Sequence, residues 1–354
     1  MLNKINNWLN QELEKLHIGF GIKQTGIFVL SFVISYFATG NPSISLTGAL
    51  ASLLYFLMPD KDIQLKTISK IIVLYSGVFA VALFASIATA NIVSSITVNF
   101  ILPFLLACIL IDESNIYGYV YHYIIFTYVQ FTEITLDILP MYLISAFIGV
   151  VVAYVFYEFI WSNDVKNGHP NKIDYKEFIA TRKMLVINKV KECLRFDSST
   201  SRFALRLSIA TAVSITLWSY IDLPKWYWIA KATCFTLIPI WSQINYRAAN
   251  RFKSTAIGCV LFALFSLLAP HRYVLILTTL LALVLAISYI PKNQMSGFYV
   301  FSVFVSLSLA SIPPITVSVY KVVYVIIGVL LAIIANQVLL PSVSGEACAN
   351  DTVY

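Results

Sequence analysis

Apolar residues gather into long runs along this chain, separated by short polar breaks. Six runs fall in the first half, at about 25–40, 44–58, 67–88, 92–111, 116–132 and 138–161. Six more follow at about 203–220, 226–241, 252–269, 273–290, 296–313 and 317–340. They lack the residue-by-residue alternation of strands that line a membrane barrel. They read as helices, and at ~20 residues per crossing the shorter ones need tilt or an extra flanking turn to span a bilayer. The breaks carry turn chemistry: Asn41-Pro42, Pro59-Asp60, Asp222-Leu223-Pro224 and Pro313-Pro314. The pattern predicts an all-α polytopic membrane protein with about twelve transmembrane helices.

Three stretches depart from it. Residues 1–22 place Leu2, Ile5, Leu9, Leu13 and Leu16 at helical spacing among Asn, Glu and Lys. This is expected to be an amphipathic helix on the membrane surface, not a cleavable signal. Residues 162–202 are polar. Within them Asp174 to Phe196 sets Tyr175, Ile179, Val186, Val190 and Cys193 roughly on one face. A cytoplasmic linker helix is predicted there, packing on the bundle or on a second copy of the chain. The tail, 341–354, is small and polar and is expected to be disordered.

The two sets of runs resemble each other. Lys66, Lys70 and Gly77 recur as Arg247, Arg251 and Gly258, and 247 − 66, 251 − 70 and 258 − 77 are all 181. Leu106-Ala107, Gly118 and Gly149 recur as Leu285-Ala286, Gly297 and Gly328, where 328 − 149 is 179. Lys23 matches Arg206 if two residues are inserted. Two parallel tandem repeats of six helices are expected, 23–161 and 203–340, related by an axis along the membrane normal.

Composition fits this solvent: 59% of residues are hydrophobic and 12% charged, against about 25% charged in soluble domains. The net charge of +7 says more through its placement. With both termini cytoplasmic, all but four of the 24 Lys and Arg lie inside, as membrane topology favours. The four are Lys225, Lys231, Arg272 and Lys321, and Lys321 is expected to snorkel outward. No nucleic-acid motif is present. The five cysteines are scattered, so neither a disulfide framework nor a metal site is expected, and no cofactor. No Walker motif occurs, so a proton gradient or membrane potential would drive any transport. The one acidic pair, Asp112-Glu113, has nothing to partner it, which argues against a membrane enzyme acting on lipid or isoprenoid and leaves no catalytic residue to name.

Several ionisable residues remain as candidates. Lys66 with Lys70, and Arg247 with Arg251, are spaced i, i+4 on one helix face each. Two readings stay open for them, with Lys23 and Arg206: anchoring to lipid phosphates, or a cationic ring at the cytoplasmic mouth of an anion pathway. His122 lies two turns inside its helix, either hydrogen-bonded in the core or part of a proton relay. Lys231 sits within an apolar segment with Trp228 and Thr233 nearby. Snorkelling and anion binding are both open to it.

Tyr227-Trp228, Thr233 and Pro239, followed by Arg247-x3-Arg251-x2-Ser254-Thr255-x2-Gly258, resemble the signature of the fusaric acid resistance (aromatic acid exporter) superfamily. The chain departs from it at Ser254, usually Gly, at Ile238, usually Gln, and at Lys231, usually apolar. The resemblance implies a plasma-membrane exporter of small organic acids, often aromatic carboxylates. In Gram-negative relatives it implies a periplasmic adaptor of the membrane-fusion type. More distant plant relatives are malate channels, which keeps an anion channel open as the alternative. On this reading Arg247 and Arg251 draw the carboxylate in, Lys231 holds it further along, and Trp228 and Thr233 flank it.

Overall fold

Eleven of the twelve apolar runs are helical in the computed structural model, which describes residues 17–57, 67–111, 118–132, 134–160, 175–196, 198–221, 227–237, 244–268, 272–289 and 314–339. The first half supplies α1 (Ile18–Thr39), α2 (Pro42–Leu57), α3 (Thr67–Ala88), α4 (Ile92–Leu110), α5 (Gly118–Phe131) and α6 (Leu139–Val155), which runs on into a π-helical turn, Phe156–Ile160. The linker helix is α7 (Tyr175–Leu194). The second half supplies α8 (Ser199–Ile221), α9 (Tyr227–Thr236), α10 (Ile244–Leu268), α11 (Arg272–Tyr289) and α12 (Pro314–Val338). The expected run at 296–313, the surface helix over most of 1–22 and the tail lie outside the described residues.

Local chemistry sets the boundaries. Gly40 adopts φ +66, a left-handed conformation that ends α1 without the clash a side chain would bring. Asn41 then accepts the backbone N–H groups of Ser43 (2.9 Å) and Ile44 (3.3 Å), and Pro42 takes the first helical position of α2. Asn91 opens α4 in the same way, accepting from Ser94 N–H at 2.8 Å. Among the described residues, Ile18–Thr39, Ile92–Leu110 and Ser318–Val338 are long and apolar enough to cross a membrane unaided.

The chain divides into two units. One comprises 28–245 and 328–354. In it α2 packs along α6 and α4 along α8, with α3 against α4, α5 and α6, and α9 against α5 and α8. Small residues permit the α2–α6 approach: a Cβ on Gly149 would run into the Gly48 carbonyl. Ser145 fastens the same crossing, donating to the Ile44 carbonyl at 2.8 Å and accepting from Gly48 N–H at 3.0 Å.

The linker helix docks on α4. Cys193 and Cys108 are both buried, and Phe196 meets Phe104 with ring centroids 6.2 Å apart. The Cys108 thiol, as donor, holds the Cys193 thiol below its usual range. The amphipathic pattern predicted a packing face here, and Cys193 lies on it.

The other unit comprises 1–27 and 246–327. There α1 begins against α11: His17 N–H donates to the Ser288 carbonyl at 3.0 Å, and Gly21 leaves room for the Ser288 side chain. Along α10, Arg247, Ala248, Arg251, Thr255 and Cys259 are buried while Phe252 and Val260 are exposed, so this helix has one packed face at helical spacing.

Candidate functional site

The ten residues of α9 are nearly all buried; only Lys231 and Phe235 are half-buried. At ~1.5 Å per residue such a helix covers about 15 Å, half a bilayer core. It ends inside the protein, since Leu237 is fully buried. A helix end there leaves carbonyls without helical partners. Tyr119 of α5 meets that end: its hydroxyl donates to the Leu237 carbonyl just past the helix at 2.9 Å and lies 3.5 Å from the Cys234 carbonyl.

Lys231 is the cation of this helix. Its Nζ lies 4.7 Å from the centroid of the Tyr227 ring, one turn earlier, a cation–π contact of about 0.5–2 kcal/mol. The other neighbour of Tyr227 is Phe131 at the end of α5, with centroids 4.4 Å apart. Phe131 in turn lines a cavity of about 410 Å³ with Thr39, Ser43, Thr132, Met141 and Tyr142 among its walls. That size suits a small organic ligand. The Tyr142 hydroxyl donates to Thr132 Oγ1 at 2.6 Å. Two packed rings, Tyr227 and Phe131, therefore connect the cation to the cavity wall.

Thr233 and Trp228 sit differently. The Thr233 hydroxyl lies 3.0 Å from the Ile229 carbonyl, 3.2 Å from the Gly328 carbonyl and 3.2 Å from Ser214 Oγ, so it pins α9 to α8 and α12. Trp228 is buried and meets Tyr227 edge-on at 6.0 Å.

A polar cluster, not anticipated from the sequence, lies among α4, α5 and α8. Pro103 inside α4 has no N–H, so the carbonyl four residues back, that of Asn99, loses its helical donor. Thr211 of α8 supplies one at 2.9 Å, sharing its proton with its own helix at the Leu207 carbonyl, 2.8 Å away. The Asn99 side chain donates to the Ser95 carbonyl at 2.8 Å and to Gln130 Oε1 at 3.3 Å, while Gln130 donates to Ser95 Oγ at 3.0 Å. The sequence signal was available: a lone amide followed four residues later by proline within an apolar run.

The remaining cations are divided between the two units. Arg206 is buried and donates through Nη1 to Asn336 Oδ1 at 2.8 Å, joining α8 to α12. Arg247 and Arg251 are 4% and 3% exposed. Lys23 is exposed on α1. Lys66 lies outside the described residues, as does the side chain of Lys70. His122 is buried, its Nε2 facing Gly77 where α5 crosses α3. Lys321 does not snorkel as expected: it is 5% exposed, and Cys259 of α10 lies within its electrostatic reach. Among the described residues no group of three or more His, Cys, Asp or Glu is placed to hold a metal ion.

Part of this arrangement falls in a stretch that a family model matches. Residues 210–335 match the family model of the fusaric acid resistance protein-like domain. The match starts within α8 and ends within α12. It takes in Trp228, Lys231, Thr233, Arg247 and Arg251, and leaves Asn99, Arg206 and Asn336 outside its limits. No curated protein matches the chain, and no solved structure does. The protein is thus a membrane protein with several apolar helical spans, and the matched family implies transport.

Proposed function

We propose that this chain exports small, mainly aromatic, carboxylic acids from the cytoplasm across the plasma membrane, driven by the proton gradient or the membrane potential. The observation that carries this reading is the array at the start of α9. Lys231 lies over the Tyr227 ring, Tyr227 packs on Phe131, and Phe131 walls the cavity. A carboxylate needs a cation, and its ring needs an apolar wall. This corner of the fold offers both. With cytoplasmic termini the array stands on the outer side, where an acid on its way out would pause. Arg247 and Arg251 then mark the inner side. Burial of both argues against their serving as lipid anchors.

A duplicated six-helix plan fits the packing as well. Ser145, Gly48 and Gly149 knot α2 to α6 in the first half. In the second, Thr233 and Gly328 join α9 to α12, and a Cβ on Gly328 would come within 2.5 Å of Ala232 Cβ. These are the second and sixth helices of each proposed repeat, and Gly149 and Gly328 are the glycines that matched in sequence.

The test is transport per molecule in vesicles with Lys, Leu or Arg at position 231. Lys231→Leu is expected to fold at least as well, because it removes a partly buried charge, yet to lose export of anionic substrates. Lys231→Arg is expected to keep part of it. Equal rates for all three would end the proposal for this residue. Discrete single-channel currents in a planar bilayer would replace the carrier with an anion channel.

A further inference from the structure

We infer that Cys108 and Cys193 are a reversible dithiol–disulfide pair, through which hydrogen peroxide ties the linker helix covalently to α4. The inference does not depend on what the chain carries.

Both thiols are free and buried, at 2% and 3% exposure, and they come from different elements, α4 and α7. The side chains are hydrogen-bonded to each other, so the two sulfurs are in contact before any reaction. One turn away on each side Phe104 meets Phe196, and this second contact keeps the pair aligned. α7 ends at Leu194. Phe196, at φ 56, then turns the chain so that its N–H returns to the Cys193 carbonyl at 3.2 Å. That left-handed conformation is costly for a phenylalanine, and here it secures the end of the helix at the cysteine.

The two sulfurs have different roles. The hydrogen bond from Cys108 holds the Cys193 thiol below its usual range; Lys189 acts in the same direction, against burial and Glu192. Cys193 is therefore the attacking sulfur and Cys108 the resolving one. Glu192, Leu194 and Arg195 are exposed, so Cys193 stands one side chain from water at a helix end, where local opening costs least. The Cys193 thiolate attacks one peroxide oxygen; the O–O bond breaks, hydroxide leaves, and Cys193 becomes a sulfenic acid. The Cys108 sulfur then attacks the Cys193 sulfur. The S–S bond forms, the S–O bond breaks, and water leaves with the Cys108 proton. In sum two thiols lose two electrons and two protons, and the peroxide is reduced to two waters. On the proposed orientation α7 lies in the cytoplasm, where disulfides are ordinarily reduced. A bond here is thus a response to oxidant, reopened by a thiol reductant. It closes the long loop between 108 and 193, which restricts the unfolded chain and holds α7 on α4.

Peptide mapping by mass spectrometry of the full chain in lipid nanodiscs, before and after hydrogen peroxide, tests this. We expect one dominant cross-link, between the Cys108 and Cys193 peptides, lost on treatment with dithiothreitol. Cys108→Ser should stop the reaction at a sulfenic acid on Cys193, trapped by a cyclic 1,3-diketone. Cys193→Ser should leave Cys108 unoxidised at the same dose. The thermal midpoint of the oxidised wild type should rise, and should return on reduction. Should either serine variant fail to fold, the wild-type map decides alone. Both thiols remaining reduced at a dose that oxidises residue 188 in Asn188→Cys would overturn the inference. So would oxidation of Cys193 beyond the sulfenic acid without a cross-link, or cross-links to Cys234, Cys259 or Cys348 in comparable yield. A cross-link that fails to raise the midpoint would mean the bond strains the packed helices, and would end its role as a tie.

Discussion

Arg251 is 3% exposed on the packed face of α10, and that burial separates two roles its sequence position left open. A guanidinium serving lipid phosphates would project outward; this one is enclosed by protein. A planar fork inside a fold is poorly replaced by an ammonium, which concentrates its charge and binds at a point. Arg251→Lys is therefore expected to cut transport at least tenfold at unchanged membrane abundance, measured as uptake into inverted vesicles normalised to protein. Wild-type rates would reduce the residue to packing. Charges were legible in the sequence because they are rare in apolar runs, but their depth was not. Lys321 stands near the start of α12 and was expected to reach water. Tertiary packing encloses it instead, and no local pattern encodes that. Asn99 was missed for the opposite reason. It is uncharged, and its significance comes from a proline four residues on and a threonine more than a hundred residues away.

The helices themselves were largely readable, since apolar runs bounded by Pro, Gly and Asn leave few alternatives in lipid. The expected first run began near residue 25, whereas α1 begins at Ile18; its opening turns, with Lys23 and Gln24, are simply less apolar. The expected segment 226–241 is helical over Tyr227–Thr236, short of Pro239, which disfavours helical geometry in the residue before it. At α4 and α8 the structure makes a sharper claim. If Thr211 answers the carbonyl freed by Pro103, Thr211→Val should destabilise the protein by about 1–3 kcal/mol. Pro103→Ala restores an N–H to α4 and should cut that penalty by more than half. Unfolding of both single variants and the double variant in mixed micelles gives the cycle, and strictly additive effects would mean the two helices are not coupled here. The glycine contacts make a parallel forecast. Gly149→Ala pushes a methyl into backbone of α2 and should lower stability by about 1–3 kcal/mol, read as a drop in thermal midpoint. Gly26→Ala, in open space, should not.

For the whole molecule, orientation is the property everything else depends on. Cys193 is a poor reporter of it, being buried against α4. Asn188 is exposed on the linker helix. In Asn188→Cys, with Cys193→Ser and Cys348→Ser, an impermeant maleimide should leave intact cells unlabelled and should label the protein once the membrane is permeabilised. Strong labelling from outside would reverse the orientation and with it the assignment of entry and exit sides. The docking of the linker has a mechanical consequence. Phe104 and Cys108, which hold α7, both lie beyond Pro103 in α4. The linker is thus bolted to the segment past the joint, as a handle is to one arm of a hinge. A force on α7 would therefore be delivered to α4 on the far side of Pro103 from the Asn99–Thr211 bond.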